Sequence, residues 1–172
     1  MARQLNANGA NVPTPAEWRA AMGYFPTGVT IVTSWKDRDP VGSTVNAFCS
    51  VSLDPPMLLV CLDRSNPILG PIERSRVFGV NILCEDTHHL ASHFATSPES
   101  GRFRQLDFHS VGAGAPQLDL APMFVDCALE NIHAAGDHFV MIGRGLRTDH
   151  VSTAAPLLYH RGRFHKFPGT AS

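Results

Sequence analysis

The sequence predicts a mainly β domain, an antiparallel barrel with a few flanking helices, and three observations carry that reading. Short β-branched and apolar runs recur from Gly28 to Phe167, separated by turns rich in Gly, Pro and Asp. Only brief stretches show helical spacing. No strand–helix–strand rhythm recurs, as a parallel α/β sheet would require. The chain has 172 residues, 44% hydrophobic and 17% charged. That fits one domain large enough to bury a core without staples. The domain is expected over 14–168, with a leader at 1–13 and a tail at 169–172.

The elements follow in order. Thr14-Pro15-Ala16-Glu17 combines a cap, a first-turn proline and a capping-box glutamate. It predicts a helix to about Gly23 that buries Trp18, Ala21 and Met22. Gly28–Trp35 is β-branched and ends at the polar turn Lys36–Pro40. Residues 41–52, 57–62 and 76–83 read as further strands, separated by Asp54-Pro55-Pro56 and by Asn66–Ser75. Asn66-Pro67 looks like a cap and first-turn proline opening a short helix that Gly70-Pro71 interrupts. Another helix, from Asp86 to about Thr96, places Leu90 and Phe94 on one buried face. Residues 97–122 form a long Gly-, Pro- and Ser-rich excursion, a length of loop that is usually functional. Strands resume at 123–133, 138–149 and 156–167.

Several function classes are excluded at this level. A net charge of -1 supplies no field for nucleic acid or an anionic membrane. No run approaches the roughly 20 apolar residues of a spanning helix. Met1–Asn11 is polar and has no apolar core of a secretory signal, so a cytoplasmic protein is expected. Cys49, Cys61, Cys84 and Cys127 form no C-x-x-C pair and read as buried free thiols. No G-x-G-x-x-G opens a helix after a strand, and Gly112-Ala113-Gly114 lies in the excursion. P-loop, H-E-x-x-H and G-x-S-x-G motifs are also missing. His89 and His93 have i,i+4 spacing suited to chelation, but no third ligand stands at a familiar distance, so no metal is expected.

Three segments stand out. Gly42–Ser52 fills a strand-like stretch with small and hydroxyl residues, a backbone that a flat heteroaromatic ring can approach closely. An edge strand kept polar for solubility explains the same run. Gly136-Asp137-His138 breaks an apolar β stretch with a turn that carries an acid and an imidazole. Phe25-Pro26-Thr27-Gly28 joins the first helix to the first strand.

Taken in register, five segments resemble the flavin reductase family, the small components of two-component flavin-dependent monooxygenases. They are Phe25–Thr33, Gly42–Pro56, Phe78–Leu83, Phe94-Ala95 and Gly136–His138. The resemblance spans about Trp18 to Phe167. It implies a six-stranded split antiparallel β-barrel, a homodimer, and flavin bound near the subunit interface. It also implies reduction of FMN or FAD by NADH or NADPH, with reduced flavin passed to a partner monooxygenase. Pro26, Thr27 and Gly28 fall in the first matching segment and are assigned to cofactor binding. By the same resemblance Thr44, Asn46, Ala47, Ser50, Val51 and Ser52 line the flavin ring and ribityl chain. Asp63, Ser65, Asn66, His93, Phe94 and Ala95 serve the ribityl chain and phosphate. Gly136, Asp137 and His138 serve the nicotinamide nucleotide, with His138 the catalytic candidate. Val45 and Cys49 depart from the family pattern.

Hydride transfer explains the lack of an acid–base pair, because the cofactors supply the reactivity and the protein supplies orientation. For the flavin phosphate, a helix N-terminus at Asn66 with Arg64 is the expected source of positive potential, then Arg102 and Arg104. Two other readings stay open: a flavin-binding electron-transfer module, and a flavin-dependent reductase of a corrinoid or ferric complex.

Overall fold

The computed structural model describes residue 9, residues 11–150 and residues 154–167. Most of the expected leader and the whole tail at 169–172 lie outside the described residues. Among the described residues three α-helices and twelve strands follow one another along the chain. They are α1 (Pro15–Met22), β1 (Thr27–Gly28), β2 (Thr30–Lys36), β3 (Asp39–Val45), β4 (Phe48–Leu53), β5 (Pro56–Asp63), α2 (Leu69–Ser75) and β6 (Val77–Ile82). Then come α3 (His88–Thr96), β7 (Phe108–His109), β8 (Gln117–Leu118), β9 (Met123–Ala135), β10 (His138–His150), β11 (Leu157–His160) and β12 (Arg163–Lys166).

Seven strands form one antiparallel sheet in the order β3-β2-β6-β9-β10-β5-β4, where the family resemblance implies six in a barrel. Among the described residues no pairing closes the sheet. Its edges, β3 and β4, are nevertheless consecutive in the chain and joined only by Asn46-Ala47. The three residue steps from Val45 to Phe48 span roughly 10 Å at most, so the sheet curls until these strand ends come close. A second sheet, β1-β11-β12, and the β7–β8 pair complete the β structure.

The curl leaves two cores. Inside it, Val32, Val60, Phe78, Val80 and Met141 pack with Ile68, Leu69 and Ile72 from the α2 region. On the outer face, Ile31, Leu83, Leu90, Phe94 and Leu118 bury the side of the sheet under α3. Strand β2 therefore has both faces covered, with Ile31 outward and Val32 inward, and this explains the unbroken burial of its first five residues. Gly42 lets α3 approach β3, since a Cβ there would lie 2.8 Å from the Phe94 ring.

Several expectations are corrected. The capping box forms as read, with Thr14 Oγ1 accepting from Glu17 N at 3.3 Å and Glu17 Oε2 accepting from Thr14 N at 2.8 Å. Helix α1 nevertheless buries none of its residues, and Trp18 and Met22 are half exposed. Its apolar face finds no partner among the described residues. Helix α2 starts at Leu69, two residues beyond Pro67, and runs through Gly70-Pro71. Pro71 is its third residue, where the absent N–H would have had no intrahelical acceptor. The run 41–52 splits into β3 and β4, and 156–167 into the β11–β12 hairpin. Cys49 is exposed, whereas Cys84 and Cys127 are buried, and burial pushes the Cys127 thiol up to about 12.

The excursion is a strap tied to the outer face. Trp35 Nε1 donates to Gly114 O at 2.9 Å, Thr33 Oγ1 to Pro116 O at 2.5 Å and Leu118 N to Asn81 Oδ1 at 2.8 Å. Ala115 N donates to Asp126 Oδ1 at 3.1 Å. Residues 114–118 are buried. Among the described residues no helix is long and apolar enough to cross a membrane.

Candidate functional site

The register of the curled sheet gathers most of the singled-out segments. Strand β5 pairs with β10 so that Asp63 faces His138. Its other neighbour is β4, and beyond that pairing Cys61 N donates to Ala47 O at 2.9 Å. The link Asn46-Ala47 thus lies against β5, two positions from Asp63. Asn66 Nδ2 donates to Ser43 Oγ at 3.1 Å, which ties the turn after β5 back to β3. One end of the sheet therefore carries the edge-to-edge link, the β5 turn and the β9–β10 turn.

Within this group Asn46, Ala47, Ser50 and Val51 are exposed and Ser52 is half-buried. Asn46 Nδ2 donates to Thr27 Oγ1 at 3.2 Å, joining the link to β1. Pro26 and Gly28 are exposed beside Thr27. Thr44 is turned toward α3, its hydroxyl donating to Ala91 O at 2.7 Å. Small, exposed side chains at Asn46, Ala47 and Ser50, with Phe48 packed against the inner core between them, leave the backbone open to a flat ring.

The turn at the head of β10 is stapled by Arg64. Its backbone N–H donates to Asp137 O at 3.0 Å and its Nε to Gly136 O at 2.8 Å. The guanidinium also lies 4.8 Å above the Phe139 ring. Gly136 has φ of 59°, a conformation open to glycine and strained for most other residues. His138 is half-buried, and its Nδ1 lies 2.7 Å from Asp137 Oδ1. That contact, first of all, holds the Asp137 carboxyl below its usual value. Asp63 is lowered chiefly by the Ser65 hydroxyl and then by the Ser65 amide, at 2.5 Å and 2.7 Å, with His138 adding to the effect. The donor atoms of Asp63, Asp137 and His138 come within 4.8 Å of one another, so two carboxylates flank the imidazole.

Other predicted residues fall elsewhere. Phe94 is fully buried in the outer core, and its ring serves the site only by seating α3 on β3. Both ring nitrogens of His93 are engaged within the chain, Nε2 with Arg102 O at 2.9 Å and Nδ1 with Ser97 Oγ at 3.0 Å. Ala95 is exposed on α3. Arg102 is a brace, with Nη1 donating to Gly42 O at 2.6 Å and Nε to Ser97 O at 3.0 Å. Arg104 is exposed. No helix starts at Asn66, whose Oδ1 instead accepts from Ile68 N at 3.2 Å in a turn. Sequence reasoning missed the open cleft beside Asn46 and Ala47, which α1, Tyr24, Phe25 and the turn Arg161-Gly162 line. The Arg-Gly pair between two alternating runs was its one visible sign.

A curled antiparallel sheet with an open, small-residue link between its edges and an acid–imidazole turn beside it defines a β protein with room for a flat ring at one end of its sheet. The chain belongs to the flavin reductase-like family, whose domain model matches residues 22–168. It is 35% identical over 158 residues to the reductase subunit of a flavin-dependent monooxygenase from Rhodococcus jostii, covering 92% of this chain and 80% of that one. The structure resembles nitrilotriacetate monooxygenase component B from Mycobacterium thermoresistibile, with a TM-score of 0.83, 34% identity and coverage of 90% and 89%. It also resembles the NADH:FAD oxidoreductase of Streptomyces globisporus solved with NAD and FAD fragments. There the TM-score is 0.84 at 30% identity, and coverage is 95% and 100%.

Proposed function

We propose that the protein is an NAD(P)H:flavin oxidoreductase that reduces FMN or FAD and supplies reduced flavin to a partner monooxygenase. The observation that carries this reading is the convergence of the Asn46-Ala47 link, the Asp63–Asn66 turn and the Gly136–His138 turn at one end of the curled sheet. Family membership gives that convergence its chemistry. When bound together, the nicotinamide supplies a hydride and the flavin accepts it. The chain then has to hold two flat rings face to face and keep them oriented. Ala47 and Ser50 allow close approach of one ring, and Asn46 offers an amide at its edge. His138, fixed by Asp137 and by the Arg64 staple, is set to hydrogen-bond the nicotinamide nucleotide and moves no proton in the hydride step.

In this reading the protein works as a homodimer. Helix α1 exposes Trp18, and edge strand β4 exposes Val51 and Leu53, apolar side chains for a second copy to cover. The decisive measurement is absorbance at 340 nm with each nucleotide and each flavin. NAD(P)H loss that depends on added or bound flavin is expected, and none with any combination overturns the proposal. Light scattering at micromolar concentration should give the mass of a dimer, and a fully active monomer would refute that part alone.

A further inference from the structure

The cleft beside Asn46 and Ala47 has a volume of about 970 Å³ and extends along α1 to the turn between β11 and β12. Hydride transfer as derived above makes no use of its far end. Among its described lining residues Arg19 and Arg161 are cationic and none is acidic. Neither guanidinium forms an ion pair with a carboxylate among the described residues.

Arg161 is held in an expensive way. It has φ of 50° and Gly162 has φ of 78°, so both residues of this two-residue hairpin turn are left-handed. Asn-Gly suits such a turn, whereas an arginine at its first position is strained. The turn is fastened to the end of α1, with Arg161 N donating to Gly23 O at 3.0 Å. The guanidinium then lies 4.6 Å above the Tyr24 ring. Tyr24 is 64% exposed and Phe25 74%, so this stack stands at the cleft wall and not in a core. Strain at a residue whose cation has no carboxylate partner among the described residues and lies over an exposed ring points to a ligand.

We propose that this end of the cleft binds an adenylate, its phosphates meeting Arg161 and Arg19 and its purine lying against the aromatic wall of Tyr24 and Phe25. Guanidinium matches phosphate by charge and by its fork of donors, and an exposed aromatic ring is a stacking platform for a purine. The inference rests on the flavin reductase reading, because the reaction's own reactants bring the group. FAD and NAD(P)H both carry an adenylate, and FMN carries none.

The test uses Arg161→Asn, which fits the left-handed turn and so removes the cation without disturbing the hairpin, together with Arg19→Ala. FAD, FMN and 5′-AMP are titrated against each variant, and the KM for NADH is measured with FMN as acceptor. Losing a hydrogen bond to a charged group predicts about tenfold or greater loss of affinity. Weaker FAD and AMP binding with FMN unchanged places the adenylate of FAD in the cleft. A raised NADH KM with weaker AMP binding and both flavins unchanged places that of the nicotinamide nucleotide there. Unchanged AMP, FAD and NADH constants overturn the proposal, as does an equal loss for FMN, which would make the site one for flavin itself. A changed sedimentation coefficient with all constants intact also overturns it, in favour of an interface between copies. AMP binding by a protein that reduces no flavin would separate failure of the function from failure of the cleft.

Discussion

The strap at 114–118 and the turn at 136–138 both connect strands of the same sheet, yet they are held in opposite ways. The strap is buried, and side chains of Thr33, Trp35, Asn81 and Asp126 take up its backbone groups. The turn is exposed, apart from half-buried His138, and Arg64 alone staples its carbonyls. Buried backbone groups must be paired or they cost free energy, so the strap is a device for stability. Exposed groups can trade protein partners for water or ligand, so the turn can serve binding. The longest excursion is therefore the one tied down from within, and the short turn is the one left open to a ligand.

The largest expected effect that would sharpen this contrast comes from Asn81→Ala. Asn81 is fully buried, accepts from Leu118 N and donates to Ile31 O at 3.1 Å and Thr33 Oγ1 at 3.2 Å. Stability should fall by about 2–4 kcal/mol in urea melts, while the KM values of the remaining folded protein hold. A change in KM at unchanged stability would break the contrast.

Next in size is His138→Ala. The KM for NAD(P)H should rise by the equivalent of about 1–2 kcal/mol, with flavin affinity and melting temperature nearly unchanged. Weaker flavin binding with an unaltered nucleotide KM would reverse the assignment.

Arg64→Lys keeps a cation for any phosphate but loses the Nε contact to Gly136 and the stack on Phe139. A rise of a few-fold in nucleotide KM is expected, on the order of 1 kcal/mol or less, without loss of flavin affinity. A selective loss of FMN binding in Arg64→Ala that lysine restores would show Arg64 to be a phosphate ligand instead.

The smallest effect separates the two regions by pH. Burial pushes the Asp126 carboxyl up, so the folded chain holds that proton more tightly than the unfolded chain. Its contribution to stability is present at acid pH and is lost as pH rises through the raised value. Asp63 and Asp137 are shifted down, so their contribution is present above the ordinary 3.8 and is lost as pH falls through their lower values. Hydrogen exchange should show acid loosening the 136–138 turn while the strap stays protected. Asp126→Asn should flatten the strap's pH dependence with a stability change within about 1 kcal/mol. Equal loosening of both segments in acid would count against the distinction.

Much of this was legible in the chain. Thr14–Glu17 announced a helix start, Leu90 and Phe94 a buried face, and the turn residues the strand boundaries. The split at Asn46-Ala47 was not, because residues that bend a strand look the same as residues that line a ring. The exposure of Trp18 and Met22 was hidden for a different reason. Apolar spacing shows that a face wants cover, and says nothing about whether the same chain supplies it. Phe94 and Arg102 were assigned toward ligand, but packing against Gly42 and the Gly42 carbonyl claims them, a matter of tertiary proximity. The Arg161 stack depends on a turn docking onto α1, which no local pattern encodes.

The pairing of β5 with β10 sets the order in which the protein can become competent. Hairpin β4–β5 is made early and locally, but its only other neighbour is β10, where Met57 meets Arg144 and Asp63 meets His138. Loop closure over so many residues is slow compared with hairpin formation. On a ribosome the hairpin must wait, edge unpaired, until the chain has been made as far as Arg144. Assembly of the candidate site is thus a long-range step of folding, and recovery of flavin binding during refolding is a readout of the β5–β10 pairing.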